Sequence, residues 1–457
     1  MLARGIRSYH RPASLAEALD LARRGATPLA GGTRLLAAAI EVPNVLDLSA
    51  LDLARAERDD GDLVLGPLTT LQDVLESPFA GPDTAGLLPE ACRAHSASPV
   101  VRNMATLGGE AIHGAPDSEV VAALLALNAV FVVHQAEAGA LETPALRFLK
   151  RPAEDLGNGG ILVSIVIPGA PDGTALERVA AAPSEPAIVA VAASLAFAGE
   201  QCARARIVLT GLRGRPARIL EAESRLEGTR ADASALERCV AQIVERAEFA
   251  DDARASATYR RETARVLALR ALRRAAQAAG AGPAGEPARP RRRAGAGGPV
   301  SALPYFTSGR IETTINGQPR SAAIEARTTL LELLRGEGLT GARPSCEAGD
   351  CGACAVLLDG RPVAACLTLA LRAQGRSLLT AEGLAATGLH RAQAALLDAE
   401  GLGCGYCTPA RALLLRALLE REREPGAEAV REALAGVACG CSAPASALAA
   451  RLGRSSA

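Results

Sequence analysis

Eight cysteines toward the C-terminal end of this sequence have the side chains and spacing of metal ligands. Thiolates bind soft transition metals and iron–sulfur clusters, whereas clustered cysteines in a large chain without secretion features seldom form disulfides. We interpret the scattered Cys92, Cys202 and Cys239 as core residues. The predicted metal ligands are Cys346, Cys351, Cys354, Cys366, Cys404, Cys407, Cys439 and Cys441.

The first four of these cysteines are spaced as Cys-x4-Cys-x2-Cys, with Cys366 after a longer gap. This is the spacing of plant-type ferredoxins, in which one loop wraps three thiolates around a cluster. Small residues at Gly349, Gly352 and Ala353 would let backbone N–H groups approach the cluster sulfurs. Structural zinc sites favour two separated Cys-x2-Cys pairs, so the pattern indicates a [2Fe–2S] site.

The last four cysteines form two pairs, Cys404-x2-Cys407 and Cys439-x-Cys441, with a predicted helical hairpin between them. This spacing on its own fits zinc as well as iron–sulfur. Thr408 and Pro409 predict an N-cap and a first helical residue, which would place thiolates at the positive end of a helix. Such a position suits any anionic thiolate–metal centre.

Two Gly-Gly segments in the first half could approach a phosphate. Glycine permits positive φ angles and close approach of backbone N–H groups to an anion. Neither segment alone distinguishes a phosphate site from a tight turn, and no Rossmann or Walker motif competes for the role. The segments are Leu29-Ala30-Gly31-Gly32-Thr33-Arg34-Leu35 and Thr106-Leu107-Gly108-Gly109-Glu110.

The elements around the Gly-Gly segments predict an α/β first half. Ser14 to Glu17 is a capping box that opens an amphipathic helix, and a short strand ends near Leu29. Beyond about Gly160, strand-like runs and helical stretches indicate a second, α+β subdomain. The runs are 161–167, 187–197 and 205–209, and the helical stretches are 235–248 and 260–278.

The elements around the cysteines predict two hairpins followed by helices. Asn316-Gly317 lies between two strand-like runs and favours a type I′ turn, and Asp359-Gly360 marks a second hairpin after the first cysteines. Thr329 to Glu332 is a capping box, and the last part of the chain has helical spacing. The Ala-, Gly-, Pro- and Arg-rich stretch at 276–307 predicts a flexible linker, with a short nucleic-acid tail as the alternative.

The composition limits the kinds of binding partner and the cellular compartment that we expect. The 457 residues include 50 Lys+Arg and 50 Asp+Glu, so no large basic field exists to bind nucleic acid or an anionic membrane. The start of the chain lacks an apolar segment, and the longest uncharged apolar stretch falls short of the roughly 18 residues that a membrane span needs. We therefore expect a cytoplasmic protein.

The cysteine motifs resemble the iron–sulfur subunit of the xanthine dehydrogenase and carbon monoxide dehydrogenase family, the molybdenum hydroxylases. The similarity runs from about Ser308 to Leu452 and rests on Cys346 to Cys354 and on Cys404 to Pro409. From about Ser8 to Ala275, the chain is similar to the FAD-binding medium subunit of the same family. That similarity rests on the two Gly-Gly segments and on Asp252-x-Arg254-Ala255-Ser256-x-x-Tyr259-Arg260.

The resemblance implies a multidomain α+β fold and three cofactors on this chain. The FAD-binding domain would be a PCMH-type α/β domain at 1–165, followed by an α+β domain at 166–275. After the linker at 276–307, a β-grasp ferredoxin domain at 308–382 and an all-α four-helix domain at 383–457 would each hold one [2Fe–2S] cluster. By the same resemblance, Leu29 to Leu35 and Thr106 to Glu110 hold the FAD pyrophosphate and ribose, and Glu119 and Leu162 lie near the flavin.

The sequence departs from the family pattern at several of these positions. Glu110 replaces the usual Asn and Glu119 the usual Asp, and a basic stretch is missing near Ala180–Glu185. A carboxylate at position 110 would repel a phosphate unless it points away from it. Gly403 stands where the family has a Gln that touches the pterin, and Gly440 where it has an Arg.

The resemblance implies an electron-transfer subunit. No part of the sequence resembles a molybdopterin-binding domain, so that cofactor would lie on a large partner subunit, in a hetero-oligomer such as a dimer of heterodimers. Electrons would pass through the clusters to FAD and then to NAD or oxygen. A stand-alone NAD(P)H-dependent flavin and iron–sulfur reductase, or a degenerate non-catalytic scaffold, is the alternative.

Overall fold

The computed structural model describes residues 5–38, 41–182, 185–280, 300–385, 388–399, 402–441 and 444–452. The strands, numbered in chain order, are β1 (Ser8–Arg11), β2 (Thr27–Leu29), β3 (Asn44–Asp47), β4 (Ala56–Asp59), β5 (Asp62–Leu65), β6 (Val130–Gln135), β7 (Gly139–Pro144), β8 (Ile161–Ile167), β9 (Gly173–Val179), β10 (Val189–Ala198), β11 (Gln201–Leu209), β12 (Ala217–Arg218), β13 (Leu303–Phe306), β14 (Ser308–Ile315), β15 (Gln318–Glu325), β16 (Ala355–Leu358), β17 (Arg361–Ala364) and β18 (Ser377–Leu379).

The helices are α1 (Leu15–Arg23), α2 (Leu71–Glu76), α3 (Ala80–Asp83), α4 (Leu87–His95), α5 (Pro99–Arg102), α6 (Leu107–His113), α7 (Glu119–Ala126), α8 (Ala145–Phe148), α9 (Pro152–Leu156), α10 (Leu220–Leu226), α11 (Ala233–Arg246), α12 (Ala257–Gly280), α13 (Leu330–Gly336), α14 (Ala381–Leu384), α15 (Arg391–Asp398), α16 (Thr408–Arg421), α17 (Ala427–Leu434) and α18 (Ala445–Leu452).

The chain divides into two compact units. The first unit comprises Met1–Asp52, Ala97–Ala105 and Arg291–Ala457, and the second comprises Leu53–Ser96 and Thr106–Pro290. The segment 1–165, expected to be one FAD-binding domain, therefore contributes to both units. Its first strands lie in the unit that holds the eight clustered cysteines.

The first unit begins with a small mixed sheet in the order β13-β1-β3-β2. Strand β3 is parallel to both β1 and β2, and β13 pairs antiparallel with β1. The Ser14 side chain caps α1 by accepting a hydrogen bond from the Glu17 N–H, as predicted. The Glu17 carboxylate reaches the N–H of Ala13 and not that of Ser14, so the predicted reciprocal capping box is displaced by one residue.

The ferredoxin part of the first unit has a five-stranded sheet in the order β15-β14-β18-β16-β17. Asn316 and Gly317 both have positive φ, at 53° and 79°, which confirms the type I′ hairpin. Thr329 and Glu332 form the predicted capping box of α13. Two hairpins around a central parallel pair, with one packed helix, confirm the predicted β-grasp fold.

The last part of the first unit is helical, as predicted, with α15 to α18 packed around a core of their own. That core includes Leu396, Leu415, Val430 and Leu448, each of which is essentially buried. A separate and larger core joins the first strands of the chain to the ferredoxin sheet. It contains Tyr9, Leu29 and Val45 together with Ile311, Leu330 and Leu371.

The second unit contains two sheets. The first has the order β4-β5-β8-β6-β7, and the second has the order β12-β11-β10-β9 and packs with α10 to α12 around Val191, Ile207 and Leu267. The second sheet and its helices confirm the predicted α+β subdomain. The prediction that strand β8 belongs to this subdomain is wrong. The strand pairs with β5 and β6 in the centre of the other sheet.

The predicted linker at 276–307 is wrong at both of its ends. Helix α12 continues to Gly280, and Leu303–Phe306 forms β13, whose backbone pairs with β1. Residues 281–299, which include the run Arg289 to Arg293, lie outside the described residues.

Candidate iron–sulfur and flavin sites

The first four cysteines converge at one end of the ferredoxin sheet. Cys346, Cys351 and Cys354 lie on the loop between α13 and β16, and Cys366 follows β17 in a short 3-10 turn. The Sγ atoms of Cys354 and Cys366 are 3.4 Å apart. The Cys346 sulfur accepts hydrogen bonds from the N–H groups of Cys351 and Ala348, at 3.3 and 3.4 Å.

Backbone conformation explains why the loop between these cysteines contains small residues. Gly349 and Gly352 have φ angles of +85° and +65°. A Cβ atom on Gly352 would lie 2.0 Å from the carbonyl oxygen of Gly436, so no larger residue fits there without a backbone shift. The glycines thus fold the loop so that its thiols share one site.

The paired sulfurs of the first group readily yield a thiolate. The hydrogen bond between Cys354 and Cys366 lowers the pKa of the Cys354 thiol to about 7 and raises that of Cys366. Thiolate is the form that ligates metal. Cys354 and Cys366 are buried, whereas Cys346 is exposed.

The last four cysteines also converge. The Cys441 sulfur lies 3.5 Å from that of Cys404 and 3.8 Å from that of Cys439. Burial, together with a hydrogen bond to Cys439, raises the pKa of Cys407 to about 11. Contacts therefore link all four thiols, from Cys404 through Cys441 and Cys439 to Cys407.

Helix α16 begins directly after Cys407, as predicted, but its cap differs from the prediction. Cys407 is the N-cap residue, Thr408 is the first helical residue and Pro409 is the second. The Thr408 hydroxyl donates to the carbonyl of Leu402 and does not cap the helix. The prediction assumed that the threonine would be the cap because threonine is a common N-cap residue and cysteine is not. Residue type alone did not reveal that the helix starts one residue earlier.

The thiols of each group lie close enough together to ligate one cluster. In a [2Fe–2S] cluster with four cysteine ligands, each iron takes two thiolates, whereas one zinc ion draws four ligands to a single point. The residues present thus fit the predicted clusters.

The first Gly-Gly segment, Leu29 to Leu35, lies in the first unit directly after β2. Gly32 has a φ of +82°, and the N–H of Leu36 donates to the Gly32 carbonyl at 3.0 Å, so the chain enters a helical turn. The first N–H groups of such a turn have no partner within it. They form the kind of donor set that a pyrophosphate requires.

The second Gly-Gly segment, Thr106 to Glu110, lies in the second unit at the start of α6. The Gly108 N–H donates to the Pro67 carbonyl at 2.9 Å, and the Gly109 N–H donates to the Thr106 hydroxyl at 3.1 Å. A Cβ atom on Gly108 would lie 2.6 Å from Pro67. Close packing therefore accounts for Gly108, and its N–H group is already used within the protein.

Glu110 points into the protein interior, where it belongs to a buried group of charges. Its Oε2 atom lies 3.0 Å from Nε2 of His95, and Nδ1 of His95 lies 3.2 Å from Glu119. Arg178 makes a further ion pair with Glu119 at 3.0 Å. Burial alone would lower the His95 pKa, but the two carboxylates raise it to about 10, so the imidazole is doubly protonated.

The burial of the carboxylates at positions 110 and 119 means that Glu110 does not point toward a phosphate, which was the condition set by the sequence. Their side chains are 3% and 1% exposed, and the His95 and Arg178 charges compensate theirs. They support α6 and α7 from within and do not face an open binding surface. Leu162 is likewise buried, in the central strand β8, and positions 183–184 of the segment near Ala180–Glu185 lie outside the described residues.

Sequence reasoning missed His95 and Arg178, and it also missed Met104 and Arg372, which contact the first Gly-Gly segment. These residues are distant in sequence from their partners. No local motif marks them, so only the folded chain reveals them.

Comparison with known proteins accounts for nearly the whole described chain. Residues 4–170 match the FAD-binding domain in molybdopterin dehydrogenase, and residues 177–275 match the CO dehydrogenase flavoprotein C-terminal domain. Residues 313–380 match the 2Fe-2S iron–sulfur cluster binding domain, and residues 380–451 match the [2Fe-2S] binding domain.

Individual relatives are matched over most of their own length. The nicotine 6-hydroxylase small subunit of Paenarthrobacter nicotinovorans is 42% identical over 132 residues, which are 29% of this chain and 80% of that protein. A chain of the carbon monoxide dehydrogenase from Hydrogenophaga pseudoflava is 27% identical with a TM-score of 0.55, and one of the quinoline 2-oxidoreductase from Pseudomonas putida 86 is 28% identical with a TM-score of 0.54. Each of these two structural matches covers 59% of this chain and 97% of the other.

This chain belongs to the molybdenum hydroxylase family. It is an oxidoreductase subunit that combines the family's FAD-binding and two [2Fe–2S]-binding domains, and FAD and two [2Fe–2S] clusters are its cofactors. Within the described residues, we find no helix with the length and apolar character needed to cross a membrane.

The structure gives a physical reason for one departure from the molybdenum hydroxylase pattern. Gly403 has a φ of +45°, and a Cβ atom on it would lie 2.2 Å from the Cys441 carbonyl and 2.6 Å from its sulfur. A glutamine at this position would therefore require the cysteine loop to shift. Among the described residues, none lies within 4 Å of a Cβ on Gly440, so the structure does not explain the other departure.

Proposed function

We propose that this member of the molybdenum hydroxylase family carries electrons from a partner molybdopterin subunit, through its two [2Fe–2S] sites, to FAD and then to an acceptor such as NAD or oxygen. The partner would oxidise a small molecule such as an N-heterocycle or an aldehyde. Flavin chemistry converts single electrons into pairs. The similarity to chains of carbon monoxide dehydrogenase and quinoline 2-oxidoreductase supports assembly into a hetero-oligomer.

Direct contact between the two cysteine loops is the observation that carries this proposal. The N–H of Ala438, next to Cys439, donates to the carbonyl of Cys351 at 3.0 Å. Gly352 packs against the Gly436 carbonyl at the same place. One hydrogen bond therefore joins the backbones that hold the two sites, and this closeness favours electron transfer between them.

Exposure supports the proposed direction of transfer. Two ligands of the second group are exposed and one is buried, whereas one ligand of the first group is exposed and two are buried. Tyr406, between two ligands of the second group, is 41% exposed. The second group is therefore proposed to face the partner and to receive the electrons, and the first group to pass them to FAD.

The flavin site is part of the same proposal. The segments Leu29 to Leu35 and Thr106 to Glu110 would hold the pyrophosphate and ribose of FAD. Glu119 and Leu162, which are both buried, would lie near the flavin end of the cofactor. Each of the two cysteine groups would hold one [2Fe–2S] cluster through its four thiolates.

A first experiment would measure iron, sulfide, zinc and flavin in the purified full chain, with EPR spectra before and after dithionite. We expect one FAD and two distinct [2Fe–2S] signals. Cys441→Ser should remove one signal and Cys366→Ser the other, while Cys92→Ser should leave both. Zinc in place of iron, or a lack of flavin, would contradict the proposal and favour a non-catalytic scaffold.

A second experiment would isolate the protein from its native cells without a tag on other components. Co-purification of a molybdenum-containing subunit whose substrate reduces the flavin would support the proposed role. Isolation of this chain alone, with rapid NAD(P)H-dependent reduction of its flavin and clusters, would instead favour a stand-alone reductase.

A further inference from the structure

Arg372 of the ferredoxin part contacts the first Gly-Gly segment directly. It lies in the 3-10 turn Ala370–Ala373, and its Nη2 atom donates a hydrogen bond to the carbonyl oxygen of Ala30. Ala30 immediately precedes Gly31 and Gly32. The conformation of the segment proposed to bind the FAD pyrophosphate is therefore fixed by a residue more than three hundred positions later in the chain.

Arg372 is itself held rigidly. Its Nε and Nη2 atoms donate to the two carboxylate oxygens of Asp47 at 2.8 and 2.9 Å, and the Tyr9 hydroxyl donates to the same carboxylate at 2.5 Å. Asp47 is fully buried, and although burial raises its pKa, the Arg372 charge holds that pKa below its ordinary value. A bidentate guanidinium pair of this kind has little rotational freedom left.

Two further contacts hold the first Gly-Gly segment against the ferredoxin part. Gly31 lies so close to Met104 that a Cβ atom would be 1.7 Å from the Met104 carbonyl, and the Met104 sulfur accepts the Ala364 N–H at 3.2 Å. A Cβ on Gly32 would lie 3.4 Å from the Leu367 carbonyl. Ala364 and Leu367 flank the cluster ligand Cys366 in sequence.

We propose that Arg372 is a positioning residue for FAD, through which the ferredoxin domain holds the first flavin loop in its binding conformation. This inference rests on the proposed function, since it assumes that Leu29 to Leu35 bind the pyrophosphate. With the Ala30 carbonyl held by Arg372, the N–H groups of the residues that follow would stay available to the pyrophosphate. A loop ordered before binding loses less conformational entropy on binding, which raises affinity.

The test compares FAD affinity in full-length Arg372→Met, Arg372→Lys and Arg376→Met proteins. Arg376 is the control, because it pairs with Asp359 at 2.6 Å in the same domain. Its contact with Arg372 is to the backbone carbonyl, at 3.4 Å, and does not involve the guanidinium that holds Ala30. FAD is removed and titrated back, and the dissociation constant is read from flavin fluorescence. Visible circular dichroism of the clusters and the denaturant midpoint report whether each variant is folded.

We expect Arg372→Met to weaken FAD binding at least about 10-fold, as the loss of a hydrogen bond from a charged donor implies, while keeping its cluster signals. Arg372→Lys keeps the charge but not the bidentate geometry and should fall in between. Arg376→Met should bind FAD as wild type does. If Arg372→Met leaves Asp47 unpaired and unfolds the chain, Arg372→Met with Asp47→Asn removes that charge and serves as the test variant.

The outcomes separate this inference from the proposed function. A wild-type protein that binds no FAD would refute the proposed function itself. Wild-type FAD affinity in folded Arg372→Met, or an equal loss in Arg376→Met, would refute the positioning role while the proposed function stands.

Discussion

The Nε2 atom of His95 lies 3.0 Å from Oε2 of Glu110, and both side chains are less than a tenth exposed. His95 closes α4, and Glu110 lies in α6. With Glu119 on the opposite ring nitrogen, His95 is a buried imidazolium between two carboxylates. This relationship ties together the three helices behind the second Gly-Gly segment.

Removing the His95 charge should destabilise the protein strongly. His95→Gln takes away the positive charge that Glu110 and Glu119 share, and breaking a buried pair in this way costs roughly 3–5 kcal/mol. The free energy of unfolding would be measured by urea denaturation. Adding Glu110→Gln to His95→Gln should recover part of the loss.

A matched control is Arg265→Gln, which breaks an exposed pair with Glu262. It should change the free energy of unfolding by less than about 1 kcal/mol. Equal effects of His95→Gln and Arg265→Gln would show that the buried charges contribute little.

The same histidine predicts a pH dependence of stability. Its pKa is about 10 when folded, compared with an ordinary value near 6.5. Its contribution is therefore complete below about pH 6.5 and is lost as the pH rises toward 10, because the unfolded chain releases the proton first. The free energy of unfolding of the wild type, minus that of His95→Gln, should fall across this range. A difference that rises with pH would contradict the assigned charge.

Gly31→Ala should damage the first flavin loop. The new methyl group would meet the Met104 carbonyl, which belongs to the backbone and cannot rotate away. We expect a loss of about 1–3 kcal/mol in stability, as for overpacking elsewhere, together with weaker FAD binding. Titration calorimetry with FAD would measure the binding. Gly81→Ala, where no residue in the described part of the chain lies within 4 Å of the new atom, should bind FAD normally.

The sequence predicted the parts of this protein whose signals are local. Asn316-Gly317 and Thr329 to Glu332 specify a turn and a helix start within a few residues, and both are confirmed. The spacing of the cysteines around Cys351 similarly anticipated that their thiols would converge. In each case the residues that decide the structure are neighbours in the chain.

What the sequence could not predict depends on long-range packing. His95 meets Glu119 and Arg372 meets Ala30 only because whole elements pack together, and no local pattern encodes such pairs. Strand β8 was assigned to the wrong sheet because an apolar run does not identify its partners. The linker prediction missed β13 because a strand of four residues gives little local signal, and its pairing with the distant β1 stabilises it.

The contact between the two cysteine loops gives the last prediction. Gly352 and Gly360 both have positive φ, at +65° and +78°, so alanine at either position costs about 1–2 kcal/mol in backbone strain. Only at Gly352 would the new methyl group also meet a backbone carbonyl, that of Gly436, at 2.0 Å. Gly352→Ala should therefore separate the two loops, whereas Gly360→Ala should not.

The measurement is EPR of the fully reduced protein, in which two nearby [2Fe–2S] clusters broaden each other's signals. We expect this magnetic interaction to weaken in Gly352→Ala and to persist in Gly360→Ala, with both variants retaining their iron. Electron transfer between the clusters should slow in the same variant when followed by rapid mixing with dithionite. An unchanged interaction in a folded Gly352→Ala protein would mean that the Cys351–Ala438 hydrogen bond does not set the distance between the clusters.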